Sequence, residues 1–533
     1  MSAFTQQRLE WHACDRAFVG EKLWERHEGD FEALGDRAQC ALMRAPLDYS
    51  RPQLGELQVA LSRVAAAQPQ QRQGAIFFNP GGPGVDGLGL GAFFGRHWST
   101  ADPGNPVSPQ FKQMSERYDL IGFSPRGLGA GTRLKCDGSA MDVEAFLLPD
   151  GNLVDVLDPQ TAMRLLAQAC SAEPLSKHVH TDAIARDMDL MRGLLGDEKL
   201  NYIGYSYGAW IGSWYASLYP AHVGRMRLDS SLNVFEGIEK TFASQDMARQ
   251  RLLDEIFLPY ATRHPQLFDL GKSVAELRSA LAALSPELSE LLFSSDFDKG
   301  NSKTIHWSWS DSRRIDLNLV YMKAALELQS LLRQHSAADK GQILAAVAAH
   351  RFAPDPGINE LAVELAQQLA TRLFEAPDGS SEDFSDELSS MAVKLSVVCN
   401  DSDASGNTHR NAAAASPSMC SHWPHPRIQR PPLAMIRQAG PILMLQSRHD
   451  ALTPIDGAQA TLDALPQASV IVVENEFQHG VFPYGEQCVD AQVASYFLHG
   501  TMPPRQSSCA GKPLRFDAEP YRVAADGNRD GNP

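Results

Sequence analysis

Gly204-Tyr205-Ser206-Tyr207-Gly208 has the form G-x-S-x-G, and it stands between an apolar run, NYIGY, and a helix-like stretch, AWIGSWYASLY. A serine in a sharp strand-to-helix turn has its hydroxyl pushed clear of the sheet edge, and small residues two before and two after keep the backbones from clashing. The helix that follows aims its N-terminal N–H groups at an oxyanion forming beside the serine. A hydroxyl is a poor nucleophile until a base removes its proton, so Ser206 needs a histidine, and the histidine needs an acid to orient it. Serine sites built on this turn carry their partners in the chain order Ser, acid, His. Two later strand-like runs supply them: PILMLQSRHD ends in Asp450, and SVIVVENEFQHG leads into His479. Asp456 competes as the acid but falls where a helix starts, a common place for a capping Asp. His449 competes as the base but precedes the acid.

The negative charge that develops on an attacked carbonyl calls for backbone donors. FFNPGGPGVDG (77–87) suits that task, because Gly81 and Gly82 let backbone N–H groups approach a substrate closely. The second donor is the N–H of Tyr207. A phosphate-binding loop is the other reading, but the prolines remove donors and neither standard phosphate motif is present. His178 with His180, or Cys420 with His422 and His425, match no standard zinc spacing, so neither a metal nor any other cofactor is expected.

These residues need a frame. LQVALSRV (57–64), GAIFFNP (74–80), YDLIGFSP (118–125), NYIGYS (201–206), RMRLDSS (225–231), PILMLQS (441–447) and SVIVVEN (469–475) read as strands. Several are unbroken apolar runs, as parallel strands covered on both faces require. Helical patterns separate many of them. In 181–195 Thr181 can cap a helix with Ile184, Met188, Met191 and Leu195 on one face. Strands alternating with helices mean a doubly wound, mostly parallel α/β sheet. From about residue 235 to 440 the alternation gives way to helical patterns at 241–260, 273–284, 316–334, 339–350, 358–375 and 384–397. The expected organisation is a core in two parts, 1–235 and 431–510, a helical cap at 236–430, and a polar tail at 511–533.

Bulk properties narrow the function. A chain of 533 residues with net charge −16 repels phosphate backbones, so nucleic acid is excluded as a partner. No run of apolar residues is long enough to span a bilayer. The start, MSAFTQQRLEWHAC, has no signal-peptide pattern and taken alone points to the cytoplasm. The eight cysteines point outward: 14 with 40, 136 with 170, 399 with 420 and 488 with 509 fall as adjacent pairs without zinc spacing. Disulfides in an exported protein, its leader absent from this numbering, are the expectation. Buried free thiols are the alternative.

NPGGPG (79–84), YDLIGFSPRGLGAG (118–131), NYIGYSYG (201–208), RLDSS (227–231), SRHDALTP (447–454), EFQHG (476–480) and YFLHGTMPP (496–504) together resemble the secreted bacterial tripeptidyl aminopeptidases. These form a proline iminopeptidase-like branch of the α/β-hydrolases. The resemblance covers roughly residues 35–235 and 395–510 and leaves most of the cap unmatched. It implies an α/β-hydrolase fold, export with disulfides, and release of residues or short peptides from a free N-terminus through Ser206, Asp450 and His479. It also implies that acidic cap residues hold the substrate's amino group; Glu236 and Glu239, at the cap entrance, are the candidates. Pro80 stands where related motifs carry His, and Asp229-Ser230 replaces the usual Asp-Gly. An esterase or amidase acting on a small ester, lactone or acylated metabolite is the alternative, since one triad cleaves both bond types.

Overall fold

The computed structural model describes residues 1–100, 102–136, 159–293, 307–335, 339–374, 385–402, 420, 423 and 425–520. Among these, ten strands form a single sheet: β1 (His12–Ala13), β2 (Ala38–Pro46), β3 (Glu56–Val64), β4 (Ala75–Asn79), β5 (Asp119–Phe123), β6 (Leu200–Tyr205), β7 (Val223–Asp229), β8 (Ile442–Ser447), β9 (Ala468–Glu474) and β10 (Gln506–Ala510). Their order is β1-β2-β3-β5-β4-β6-β7-β8-β9-β10, with the pairs from β5 to β10 parallel and the first three strands joined antiparallel. The seven expected strands are all present. Every residue of β4, β5 and β8 is buried, which is why these read as unbroken apolar runs. The sequence reading missed β1, β2 and β10; β10 is the short polar run QSSCA, whose place comes from pairing with β9.

Helices α1 (Thr181–Leu194) and α2 (Tyr207–Leu218) cover one face of the sheet. Leu90–Ser99, Ser108–Arg117 and Gln487–His499 cover the other. His180, not Thr181, caps α1: its Nδ1 accepts from the N–H of Ala183. Thr181 instead turns its hydroxyl inward to Tyr207 and Asp401.

Between β7 and β8 the described chain is helical, beginning with α3 (Ile238–Leu252). The helices from α3 to Pro356–Phe374 bury a core of their own, including Phe257, Trp307, Leu319 and Leu365. Helix α4 (Ser385–Asp401) packs elsewhere. Its Val393, Leu395 and Val397 join the core beneath the sheet. Ser390 donates to the carbonyl of Gly84 at 2.7 Å.

Within the expected polar tail, residues 511–520 are tied both to the sheet and to the helices between β7 and β8. Gly511 N–H donates to Glu474, Leu514 enters the cap core, and Asp517 accepts from Arg263 and pairs with His264. Residues 521–533 lie outside the described residues. The cysteines bond as the four adjacent pairs, Cys14–Cys40, Cys136–Cys170, Cys399–Cys420 and Cys488–Cys509. No helix of the described residues is long and apolar enough to cross a membrane.

Candidate active site

Ser206 is the hinge between β6 and α2, with φ 55° and ψ −121°. A non-glycine residue rarely adopts this left-handed region, and such strain persists only where neighbours over-determine it. Here the glycines explain how. A Cβ on Gly204 would fall 2.5 Å from the carbonyl oxygen of Gly208, and one on Gly208 would fall 2.7 Å from that of Asn79. The Ser206 N–H is tied to the carbonyl of Asp229 on the neighbouring strand at 2.9 Å.

The glycine loop after β4 lies directly against this turn. A Cβ on Gly81 would lie 2.5 Å from Tyr205 O and 3.0 Å from Ser206 Cβ. Gly81 does not offer a free donor, however, because its N–H goes to Asn79 Oδ1 at 2.9 Å. Among the described residues the N–H groups of Gly82 and Tyr207 donate to nothing, which leaves these two available to an oxyanion.

Asp450 and His479 are joined directly. His479 Nδ1 lies 2.9 Å and 3.1 Å from the two Asp450 oxygens. The carboxylate also accepts from the N–H groups of Leu452 and Thr453 and from Thr453 Oγ1, each at 2.9 Å. Burial alone would raise the Asp450 carboxyl, but the charge and hydrogen bond of His479 and the two backbone donors outweigh it, so it stays below its ordinary range. Burial acts on His479 in the opposite sense and would lower it. Asp450, with a further contribution from Asp229, lifts it above the ordinary 6.5. With Nδ1–H donated to Asp450, the neutral ring presents Nε2 as an acceptor. Ser206 Oγ makes no hydrogen bond to it in this structure.

The competing residues fall away on position. Asp456 lies in the first turn of α5 (Ile455–Ala464), mostly exposed, and pairs with Arg251 at 3.2 Å. The His449 side chain is largely covered, 3.4 Å from Glu255, with its pKa pushed down by burial to about 4. His180 serves as a helix cap, Cys420 is held in a disulfide, and His422 lies outside the described residues.

Glu236 and Glu239 are not drawn into hydrogen bonds with Ser206, Asp450 or His479. Glu236 is exposed, pairs with Lys240 at 3.4 Å, and lines a cavity of about 170 Å³ with Thr453, Pro454 and Asp456. Glu239 is in the first turn of α3 with Oε2 buried and without a hydrogen-bond partner among the described residues. Sequence reasoning missed Thr453, whose hydroxyl touches both Asp450 and His479; its only signal was its place in SRHDALTP. It also missed Ser310, whose cap carbonyl accepts the N–H of His479 at 2.9 Å. Nothing in the sequence around Ser310 announces a main-chain contact.

A mostly parallel sheet in this strand order, with a strained serine turn at the end of β6 and later strands leading to Asp450 and His479, defines an α/β-hydrolase of the serine-hydrolase class. Residues 407–509 match the model of a family described as TAP-like protein. The tripeptidyl aminopeptidase of Streptomyces lividans is 26% identical over 524 residues, covering 91% of this chain and 86% of that protein. The serine protease Hip1 of Mycobacterium bovis is 25% identical over 503 residues, 89% of this chain and 87% of its own length. A carboxylesterase B of Mycobacterium tuberculosis is 26% identical over 510 residues, 94% and 89% respectively. The chain is thus similar to a bacterial tripeptidyl aminopeptidase over most of its length, and the motifs in its core resemble the same proteins.

Proposed function

We propose that the chain is a serine exopeptidase that releases residues or short peptides from a free N-terminus. Its nucleophile is Ser206, its base His479 and its orienting acid Asp450. The observation that carries the reading is the Asp450–His479 pair on a loop tied through Asp229 to a strained serine, with the N–H groups of Tyr207 in the serine turn and Gly82 in the adjoining glycine loop left undonated. His479 Nε2 takes the hydroxyl proton as Ser206 Oγ bonds to the scissile carbonyl carbon, and the N–H groups of Gly82 and Tyr207 receive the oxyanion. His479 then passes that proton to the leaving amine. Water attacks the acyl-enzyme by the same route and returns the serine.

The chain divides into a core, 1–235 and 431–510, and an inserted cap, with α4 assigned to the core because its apolar face is buried there. Glu239 is the better of the two candidates for an ammonium group, since a buried carboxylate oxygen without a donor is the stronger anionic site. Four disulfides favour an exported protein. The second reading is an esterase, favoured by a relative of equal identity named carboxylesterase B.

The test is a matched set of chromogenic substrates given to wild type and Ser206→Ala: free-amine Ala, Pro and Ala-Ala-Pro amides, their N-acetylated forms, and a short acyl ester. Release from free-amine amides that is lost on acetylation and in the mutant establishes the exopeptidase. Cleavage of the ester alone moves the chain to the second reading. Full activity in Ser206→Ala removes the triad.

A further inference from the structure

Behind the triad, on β7, stand two buried charges that the reaction as written does not use. Arg227 and Asp229 are both fully buried and paired to each other through Nη1 and Oδ2. The Arg227 guanidinium lies over the rings of Tyr205 at 4.9 Å and Phe482 at 4.6 Å. Tyr205 immediately precedes Ser206, and its hydroxyl donates to the carbonyl of Phe482 at 2.7 Å. The Asp229 oxygens accept the N–H groups of Val481 at 3.0 Å and Phe482 at 2.9 Å. Its backbone carbonyl accepts the N–H of Ser206. The next residue, Ser230, accepts the N–H of Gly480 through its hydroxyl at 2.9 Å. A single strand end therefore grips the serine turn with its main chain and the histidine loop with its side chains.

We propose that Asp229, paired from behind with Arg227, is a positioning residue that sets His479 against Ser206 and supplies a second negative charge in the field of the imidazole. This rests on the reading of Ser206 and His479 as nucleophile and base. Two features make the arrangement more than packing. A buried ion pair is costly to assemble and gains little over apolar residues of the same shape, so stability alone is a weak reason for it. Asp229 is also one of the two carboxylates that raise His479, behind Asp450. Among the described residues the other charged groups near the histidine loop are Arg227 and Asp490, which interact electrostatically with each other and with Tyr205, Glu476, which accepts from Phe477, Gln478 and Tyr484, and Arg313, which interacts electrostatically with Glu476; the carbonyl of Ser310 accepts the His479 N–H.

The test measures the rate at which a fluorophosphonate probe labels the protein across the acid to neutral range, which needs no knowledge of the substrate. Asp229→Asn keeps the shape but turns an NH2 toward the Val481 or Phe482 N–H, and it leaves Arg227 unneutralised. The double variant Arg227→Met/Asp229→Asn removes both charges and guards against misfolding of the single one. Thermal melts give the folded fraction of each. The proposal expects labelling to fall roughly 10²-fold, the effect of moving a reacting group by about 1 Å. It also expects the acid limb to move to lower pH in both variants, because the imidazolium has lost one of its two carboxylates. An acid limb that coincides with wild type in the folded double variant overturns it. Labelling that persists in Ser206→Ala instead removes the triad, and the inference with it.

Discussion

Replacing Asp450 with Asn should silence the enzyme while leaving it folded, and the structure says which way the amide must turn. One Asp450 oxygen accepts the two backbone N–H groups of Leu452 and Thr453, both at 2.9 Å. An NH2 placed there would face two donors and forfeit both bonds, so the amide oxygen has to occupy that position. The NH2 then lies where the other oxygen was, 2.9 Å from His479 Nδ1 and 2.9 Å from Thr453 Oγ1. Thr453 adapts, because a hydroxyl can accept as well as donate. The imidazole adapts only by moving its proton to Nε2, and a ring protonated there cannot take the proton of Ser206. The wrong tautomer lowers kcat by about 10⁴, close to 5 kcal/mol of transition-state stabilisation. The melting transition should shift by no more than about 2 kcal/mol, since three of the four hydrogen bonds are replaced in kind. Steady-state kinetics on the best amide substrate, beside a thermal melt, decides it. A folded Asp450→Asn keeping more than about a tenth of wild-type kcat would refute the tautomer argument and the assignment of the acid.

The raised His479 sets the sign of the pH dependence: activity in kcat/KM should fall as pH drops through a value above the ordinary 6.5, and a limb well below it would contradict the two-carboxylate environment. Gly81→Ala should abolish activity, and soluble yield with it, because the new Cβ meets the Tyr205 carbonyl at 2.5 Å in a backbone region with φ 98°; wild-type turnover would mean the loop is free to move. Reducing Cys399–Cys420 or Cys488–Cys509, each closing 21 residues of sequence, should cost about 3 kcal/mol apiece, read as a fall in denaturation midpoint with dithiothreitol. Glu239→Gln should raise KM for free-amine substrates about tenfold and leave ester hydrolysis alone, whereas equal losses on both would make Glu239 a helix-terminus charge and nothing more.

The sheet and the serine turn were legible because their physics is local. An apolar run buried on both faces, then G-x-S-x-G, then a helix, can be read without any distant partner. The Asp450–His479 contact was legible through chain order and strand ends. What escaped has the opposite character. β10 is QSSCA, five mostly polar or small residues that form a strand by pairing with β9. Helix α4 reads like every other helix of the insertion, and only the destination of Val393, Leu395 and Val397 separates it from them. The strap at 511–520 is polar in sequence, yet Asp517 finds Arg263 and His264 more than 250 residues away. The Gly81 N–H, a sequence candidate for the oxyanion, is held by the side chain of Asn79 two residues earlier, a contact that no spacing rule announces.

The histidine is gripped by three separate parts of the molecule, and this bears on how the cap relates to catalysis. From the core, Asp450 holds the ring and Asp229 holds the two residues beyond Gly480. From the insertion, the carbonyl of Ser310 takes the His479 N–H. The segment bearing Ser310 is fixed in turn by aromatic packing: Trp307 and Trp309 stand 5.1 Å apart, and both lie against Phe257, which meets Phe477 at 5.3 Å. Phe477 is two residues from the base. The insertion is therefore coupled directly to the loop that carries His479, through one main-chain hydrogen bond and the Phe257–Phe477 ring contact. The link is a main-chain carbonyl backed by ring packing, and neither requires a particular side chain at position 310. Sequence in the insertion can then diverge to suit different substrates while the hold on the base survives. That is a physical reason why the cap is the part of such a chain least readable from motifs.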